Sequence, residues 1–165
     1  MTADTPVAEN GQELIVEFVD EAIESLRGVP DQLEAFRRNP QDDTPIHAVF
    51  RSVHSIKGCA GFLGLTSVKQ FAHALENTMD EARKAKLILS EELQRSLVGG
   101  IDLLEAMLNR TLEGELDAPL TREEAELLEE VEREAAACRP DRSGRVAHRR
   151  RTHLLRLPTP RIDCP

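Results

Sequence analysis

The sequence predicts an all-α protein: an antiparallel four-helix bundle with an additional carboxyl-terminal helix and a disordered tail. Apolar residues recur every three or four positions along most of the 165-residue chain, which is the period of an amphipathic helix. Aromatic residues make up only 3% of the chain, so aliphatic side chains must fill the core. No stretch of useful length alternates apolar and polar residues as a strand does.

The chain divides into four segments. Residues 1–12 are polar and predict a flexible amino terminus. Residues 13–113 contain four helical patterns joined by short turns, which is typical of an antiparallel bundle. Residues 114–138 predict an additional amphipathic helix. Residues 139–165 are rich in Arg and Pro, show no sustained period and predict a disordered tail.

The first helical pattern begins at Leu14 and continues past Gly28 to Phe36. It predicts one long helix with a kink near Pro30. Proline removes a backbone donor and clashes with the preceding turn, so two shorter helices are the alternative.

Turn and capping signals delimit the next two helices. Thr44 is a candidate N-cap of the second helix, with Pro45 in its first turn, and Gly64 predicts its end. Thr66 is a candidate N-cap for the third helix. The buried side of the second helix is predicted to consist of Ile46, Val49, Phe50, Val53, Ile56, Ala60 and Leu63.

Two more helices follow from the same kind of signal. Ser90 predicts the start of a fourth helix, whose leucine-rich seam continues despite Gly99 and Gly100. Thr121 and Glu124 form the pattern of a capping box that opens a fifth helix. The inward-facing residues of this helix are predicted to be Ala125, Leu128 and Val131.

Charge and cysteine content exclude several classes of function. The net charge is -9, and the Arg-rich tail means that the remainder is more acidic still. The folded part is therefore not expected to bind nucleic acid or anionic membrane. Cys59, Cys138 and Cys164 are far apart and form no CxxC pair, so neither a disulfide framework nor a zinc site is indicated. With no leader pattern and no long apolar stretch, a cytoplasmic location is expected.

The residues with the clearest chemical meaning lie on the second helix. His54, Lys57, Gly58 and Gly61 are spaced three or four residues apart and share one face. Each mid-helix glycine costs about 1 kcal/mol relative to alanine, so Gly58 and Gly61 are interpreted as clearing a surface for a partner protein. Neutral imidazole is a good nucleophile toward phosphorus, and Lys57 can stabilise phosphoryl oxygens.

A second pair of residues belongs to the same hypothesis. His73 and Glu76 lie one turn apart on the third helix. If the second and third helices pack antiparallel, Glu76 comes near His54. A carboxylate that accepts the proton of one ring nitrogen makes the other nitrogen the nucleophile. Glu76 is predicted to have this role, with His73 as a neighbour that shapes the site.

A family resemblance rests on these same motifs. The run from His54 through Lys57, Gly58, Gly61 and Gly64, with His73-Ala-Leu-Glu76 after it, is similar to the amino-terminal phosphotransfer domain of CheA-type chemotaxis histidine kinases. The resemblance covers roughly residues 14–112. It implies a cytoplasmic histidine phosphotransfer (HPt) domain in two-component signalling.

The resemblance also implies partners and roles. A histidine kinase ATP-binding domain would phosphorylate His54, and the aspartate of a response-regulator receiver domain would take the phosphoryl group. No cofactor is expected on this chain, since Mg²⁺ would be bound by the receiver or the kinase. Nothing in the chain resembles an ATP-binding domain, so autonomous kinase activity is not expected.

Some features depart from the family pattern. Cys59 stands where the family often has a second glycine, and Phe62 where a smaller residue is common. Cys59 is interpreted as a small core or boundary residue. The main alternative in function is a helical adaptor that is never phosphorylated, and a carrier between two receivers is another. A metal-binding bundle would need a second Glu/His set besides His73 and Glu76, which the sequence lacks.

Overall fold

The computed structural model describes residues 6–116 and 118–140, which form six helices without a strand. This confirms the predicted all-α fold class. The part of the predicted tail beyond residue 140 and the first five residues lie outside the described residues. The helices are α1 (Pro6–Leu26), α2 (Val29–Arg38), α3 (Thr44–Phe62), α4 (Thr66–Arg83), α5 (Glu91–Leu112) and α6 (Arg122–Cys138).

The first arm of the bundle consists of two helices, α1 and α2, rather than one kinked helix. The break falls at Arg27 and Gly28, and Pro30 lies in the first turn of α2. Backbone N–H groups in a first turn have no partner within the helix, so the missing N–H of proline costs no hydrogen bond there. Helix α1 begins at Pro6, so residues 6–12 are helical and the helix starts earlier than the pattern predicts. Proline is well suited to a first helical turn because its φ angle is already fixed there.

Helices α3 and α4 pack antiparallel, as the contacts at their two ends show. Phe50, near the start of α3, lies under the guanidinium of Arg83 at the end of α4. Gly61, near the end of α3, lies against the side chain of Lys69 near the start of α4. Helices α1 and α2 pack against α3 and α5, which closes the bundle around an almost wholly aliphatic core.

Helix α6 lies antiparallel along α5 and also contacts α4. Ser96 Oγ donates to Glu130 Oε1 at 2.8 Å, and Arg110 Nη2 donates to Glu124 Oε1 at 2.6 Å. The capping box of Thr121 and Glu124 is formed as predicted. The prediction that Ala125 faces inward is wrong: Ala125 is exposed and Glu124 is buried, because Glu124 binds both the Thr121 N–H and Arg110.

The helix ends show which capping signals are used. Ser90 Oγ accepts from the N–H of Leu93 at 3.1 Å, as predicted for an N-cap. Thr44 and Thr66 are instead the first residues of their helices and cap neither of them. Before α3 the carboxylate of Asp42 accepts from the Thr44 N–H. Because this acceptor precedes the helix, the threonine hydroxyl is not needed there.

Helix α3 ends two residues before Gly64, the glycine predicted to stop it. Gly64 has a φ angle of 76°, and the Leu65 N–H donates to the carbonyl of Ala60, closing a Schellman motif. This sharp end turns the chain back so that α4 can run along α3. None of the helices within residues 6–116 and 118–140 is long and apolar enough to cross a membrane.

Candidate functional site

His54 lies in the middle of α3, on the face that points away from the core. The neighbouring residues Val53 and Ile56 are fully or almost fully buried and fix the rotation of the helix. The His54 side chain is 58% exposed. The structure therefore presents an imidazole to solvent from a rigid helix, as the helical pattern predicts.

Glu76, on α4, binds the inner nitrogen of His54. The distance between His54 Nδ1 and Glu76 Oε1 is 2.9 Å, so the structure brings together the two residues that antiparallel packing was predicted to join. An ionised carboxylate can only accept a hydrogen bond, so Nδ1 is the nitrogen that carries the proton. The lone pair of neutral imidazole is then on Nε2, on the side of the ring away from Glu76.

Lys57 binds the other oxygen of the same carboxylate. Its Nζ lies 2.7 Å from Glu76 Oε2 in an ion pair. Lys57 was predicted to meet phosphoryl oxygens, whereas in this structure its ammonium group is directed at Glu76. Its contact here is with the residue that orients the histidine.

The Glu76 carboxylate is ionised in this environment. Its burial acts to raise its pKa, but the hydrogen bonds and charges of Lys57 and His54 outweigh burial, and the pKa lies below its ordinary value. The carboxyl group therefore remains a hydrogen-bond acceptor at neutral pH.

Two residues that the sequence analysis did not assign to the site also contact it. The Phe50 ring stacks on the His54 ring, with centroids 5.6 Å apart and planes 17° apart. The Arg83 guanidinium lies 4.2 Å from the Phe50 centroid, and Asp80 accepts from Arg83 at 2.6 Å. The i, i+4 spacing of Phe50 and His54 on α3 is a sequence signal for this contact, but the apolar pattern of α3 assigns Phe50 to the core.

His73 does not join the site in this structure. Its side chain is exposed and, within the part of the chain that the structure describes, it makes no hydrogen bond or ion pair. It remains one turn before Glu76 on α4. Its role in shaping the site stays a prediction.

The two glycines of the predicted approach surface differ from each other. A Cβ atom on Gly58 would meet nothing within 4 Å, so this position is open to solvent beside His54. A Cβ atom on Gly61 would lie 3.3 Å from Cδ of Lys69. Gly61 therefore makes room for a side chain of α4, while Gly58 leaves the surface beside the histidine bare.

A groove of about 170 Å³ lies between α1 and α3. Cys59 lines it and is exposed, so the interpretation of Cys59 as a core or boundary residue is wrong. Among residues 6–116 and 118–140, no group of three or more His, Cys, Asp or Glu side chains could hold a metal ion.

An exposed imidazole, held by a buried carboxylate from the next helix of an antiparallel bundle, defines the class of histidine phosphotransfer domains. The chain belongs to the Hpt domain family, whose sequence model matches residues 13–137. The matched residues include most of α1, all of α2 to α5, and α6 as far as residue 137.

Chemotaxis kinases contain similar sequences. The chemotaxis protein CheA of Listeria monocytogenes is 32% identical over 92 residues, which are 56% of this chain and 15% of that protein. CheA of Rhizobium meliloti is 33% identical over 97 residues, which are 59% of this chain and 13% of that protein. The chain thus spans only a small part of the length of these curated relatives.

Solved structures show the same fold. The phosphorylated P1 domain of CheA3 in complex with CheY6 from R. sphaeroides superposes with a TM-score of 0.68 at 28% identity, covering 77% of this chain and 98% of that one. The CheA phosphotransferase domain from Thermotoga maritima gives a TM-score of 0.57 at 33% identity, covering 61% and 96%. The likeness therefore covers nearly the whole of each of these domains.

Proposed function

We propose that His54 carries a phosphoryl group from a histidine kinase to an aspartate of a response regulator in chemotaxis-like two-component signalling. The observation that carries the proposal is the 2.9 Å contact between His54 Nδ1 and buried Glu76, which leaves Nε2 as the exposed nucleophile. Helix α3 holds this nitrogen where a second protein can approach it.

The charging step is a displacement at phosphorus. The Nε2 lone pair attacks the terminal phosphorus of ATP held by the kinase, the N–P bond forms, and the bond to the ADP oxygen breaks. The ring then bears a positive charge, because its Nδ1 proton is retained. Glu76, whose carboxylate accepts that proton in a hydrogen bond, stabilises the charged ring.

The discharging step reverses these roles. A carboxylate oxygen of the receiver aspartate attacks phosphorus, the N–P bond breaks, and its electron pair returns to Nε2. The ring becomes neutral again with its proton still on Nδ1. In the uncharged protein Lys57 pairs with Glu76. In the proposed cycle its ammonium group turns to the phosphoryl oxygens once His54 is charged, when the positive ring remains as the partner of the Glu76 carboxylate.

The partners follow from this chemistry. An ATP-binding kinase domain supplies the phosphoryl group, so catalysis of ATP cleavage belongs to that domain and His54 acts as the phosphocarrier. A receiver domain accepts it, and the complex of the similar CheA3 domain with CheY6 supports such a pairing. Mg²⁺ belongs to the kinase or the receiver, with no cofactor on this chain. A cytoplasmic location is part of the proposal, because the kinase takes the phosphoryl group from ATP.

A labelling experiment tests the proposal. Wild type and His54→Gln are incubated with radiolabelled ATP and the ATP-binding region of a CheA-type kinase. We expect label on the wild type alone, with loss of that label when a CheY-type receiver and Mg²⁺ are added. Equal labelling of the two proteins, or none in either, contradicts the proposal and favours an adaptor that is not phosphorylated.

A further inference from the structure

We propose that one exposed strip of the protein is the docking surface for the receiver, with Phe62 as its apolar anchor. The strip consists of Arg51, His54, Gly58 and Phe62 on α3, with Lys69 of α4 beside its far end. This inference rests on the proposed function and assigns the recognition of the phosphoryl acceptor to particular side chains.

The geometry of α3 defines the strip. Arg51, His54, Gly58 and Phe62 follow one another at intervals of three or four residues, so they lie along one side of the helix. All four are exposed. At 1.5 Å per residue, Phe62 lies about 12 Å along the helix axis from His54. Gly58, between them, has no side chain to block a flat approach.

The size of a protein interface places Phe62 inside the receiver's footprint. A standard interface covers about 800 Å² on each partner, which corresponds to a disc of roughly 16 Å radius. The receiver must bring its aspartate to His54, so a disc centred there reaches Phe62. A receiver that takes the phosphoryl group therefore covers or closely borders this side chain.

Phe62 has the properties of an anchor for such a partner. Its side chain is 86% exposed, and the next most exposed large hydrophobic side chain in the described part of the chain is Ile88 at 56%. It contributes little to the core, and an exposed aromatic ring costs free energy in water. Aromatic side chains that become buried in a complex are frequent hot spots of binding.

The charges at the two ends of the strip support the same partner. Most Lys and Arg residues in the described part of the chain pair with a carboxylate, whereas Arg51, Lys69 and Lys86 make no ion pair there. Arg51 precedes His54 by one turn, and the stem of Lys69 lies against Gly61. A phosphoacceptor aspartate and the carboxylates that hold Mg²⁺ beside it are acidic, so unpaired cations here attract that surface.

The test measures phosphoryl transfer against receiver concentration. The protein is charged with phosphoramidate, whose N–P bond breaks with release of ammonia as the bond to His54 forms. The receiver is the one that accepts fastest from wild type in a panel of CheY-type domains that includes CheY6. For Phe62→Ala we expect the half-saturating receiver concentration to rise about 10-fold with an unchanged rate at saturation.

Charge variants provide an independent arm. We expect Arg51→Glu and Lys69→Glu each to raise the half-saturating concentration about threefold and to weaken its dependence on salt. Lys86→Glu and Ile88→Ala are matched controls at the end of the bundle where α4 joins α5, and both should behave as wild type. Equal melting temperatures and equal charging by phosphoramidate show that the variants are folded and that His54 is intact.

Three results would overturn the inference. The first is a half-saturating concentration for Phe62→Ala equal to that of wild type, and the second is an equal loss in the Lys86 and Ile88 controls. The third is self-association of wild type, seen by sedimentation and lost in Phe62→Ala, which would assign the anchor to a second copy of this chain. A wild type that is never charged, or that passes its group to no receiver, overturns the proposed function instead.

Discussion

The Glu76 carboxylate binds two side chains of α3 at once, and this makes it the central residue of the site after His54. One oxygen lies against His54 Nδ1 and the other against Lys57 Nζ. The residue is only 7% exposed, so its charge acts through a medium less polarisable than water. Orientation of the ring and stabilisation of its charged state therefore depend on one side chain.

Removal of the Glu76 charge should slow charging of His54 while leaving the fold intact. Glu76→Gln keeps an oxygen that can accept from Nδ1 but loses the charge that stabilises a positive ring, and we expect the charging rate to fall about 10- to 100-fold. The measurement is the rate of labelling by kinase and ATP. Glu91→Gln, which removes an exposed carboxylate in the first turn of α5, is the control. A rate for Glu76→Gln equal to wild type would contradict the role of Glu76.

The same carboxyl group should contribute to acid sensitivity. Its pKa is lower in the folded protein than in the unfolded chain, so the stability it contributes is present above the unfolded value of 4.5 and is lost as pH falls through the folded value. Urea unfolding at several pH values should show that wild type loses more stability than Glu76→Gln on acidification below about pH 4.5. Parallel pH profiles for the two proteins would show that the contact does not stabilise the charged carboxyl group.

At the scale of the elements, close packing of α4 on α5 depends on one glycine of a pair. A Cβ atom on Gly100 would lie 2.7 Å from Cδ2 of the fully buried Leu75, whereas one on Gly99 would lie 3.7 Å from Leu127. The first distance requires movement in the core, and the second is an ordinary contact. Adjacent glycines in one helix therefore have different structural roles.

Alanine substitutions should separate these two glycines. We expect Gly99→Ala to stabilise the protein by up to about 1 kcal/mol, because alanine is the better helix former and the new methyl group fits. We expect Gly100→Ala to destabilise it by about 1–2 kcal/mol, because the overpacking against Leu75 exceeds the gain in helix propensity. Urea denaturation of both variants measures the difference. Equal effects in the two variants would mean that α4 moves away from α5 at little cost.

At the scale of the whole molecule, α6 is bound to the bundle by a buried ion pair as well as by apolar contacts. Glu124 is 1% exposed, and one oxygen accepts from Arg110 of α5 while the other accepts from the Thr121 N–H. Val131, Ala135 and Cys138 continue the buried side of the helix. The sixth helix is therefore part of the fold, in agreement with a family match that extends to residue 137.

Neutralising Glu124 should loosen this helix. Glutamine can still complete the capping box, so Glu124→Gln removes only the ion pair. We expect the free energy of unfolding to fall by about 2 kcal/mol. The loss is limited because the Arg110 side chain is partly exposed, so water can solvate its charge in the variant. Glu126→Gln is the matched control, because Glu126 pairs with Arg122 on the surface and should change stability by less than about 0.5 kcal/mol. Thermal or urea unfolding measures both. Similar losses in the two variants would contradict a structural role for the buried pair.

The sequence by itself determined the helical class, most helix boundaries and the exposed position of His54. These properties follow from the 3.6-residue period and from local signals such as Ser90, Thr121 and Gly64, which act within a few residues. The motif around His54 can be identified from sequence for the same reason, because its residues lie on one face of a single helix.

Only the tertiary structure decided which side chains meet across helices. These contacts depend on how each helix is rotated and shifted against its neighbours. Examples are the ion pair of Lys57 with Glu76 and the contact of the Phe50 ring with the Arg83 guanidinium. The burial of Glu124 in place of Ala125 and the exposure of Cys59 depend on it too. A rotation of one helix by a single residue position changes such contacts without altering the apolar period. That rotation is set by close packing of the whole core, which no local pattern specifies.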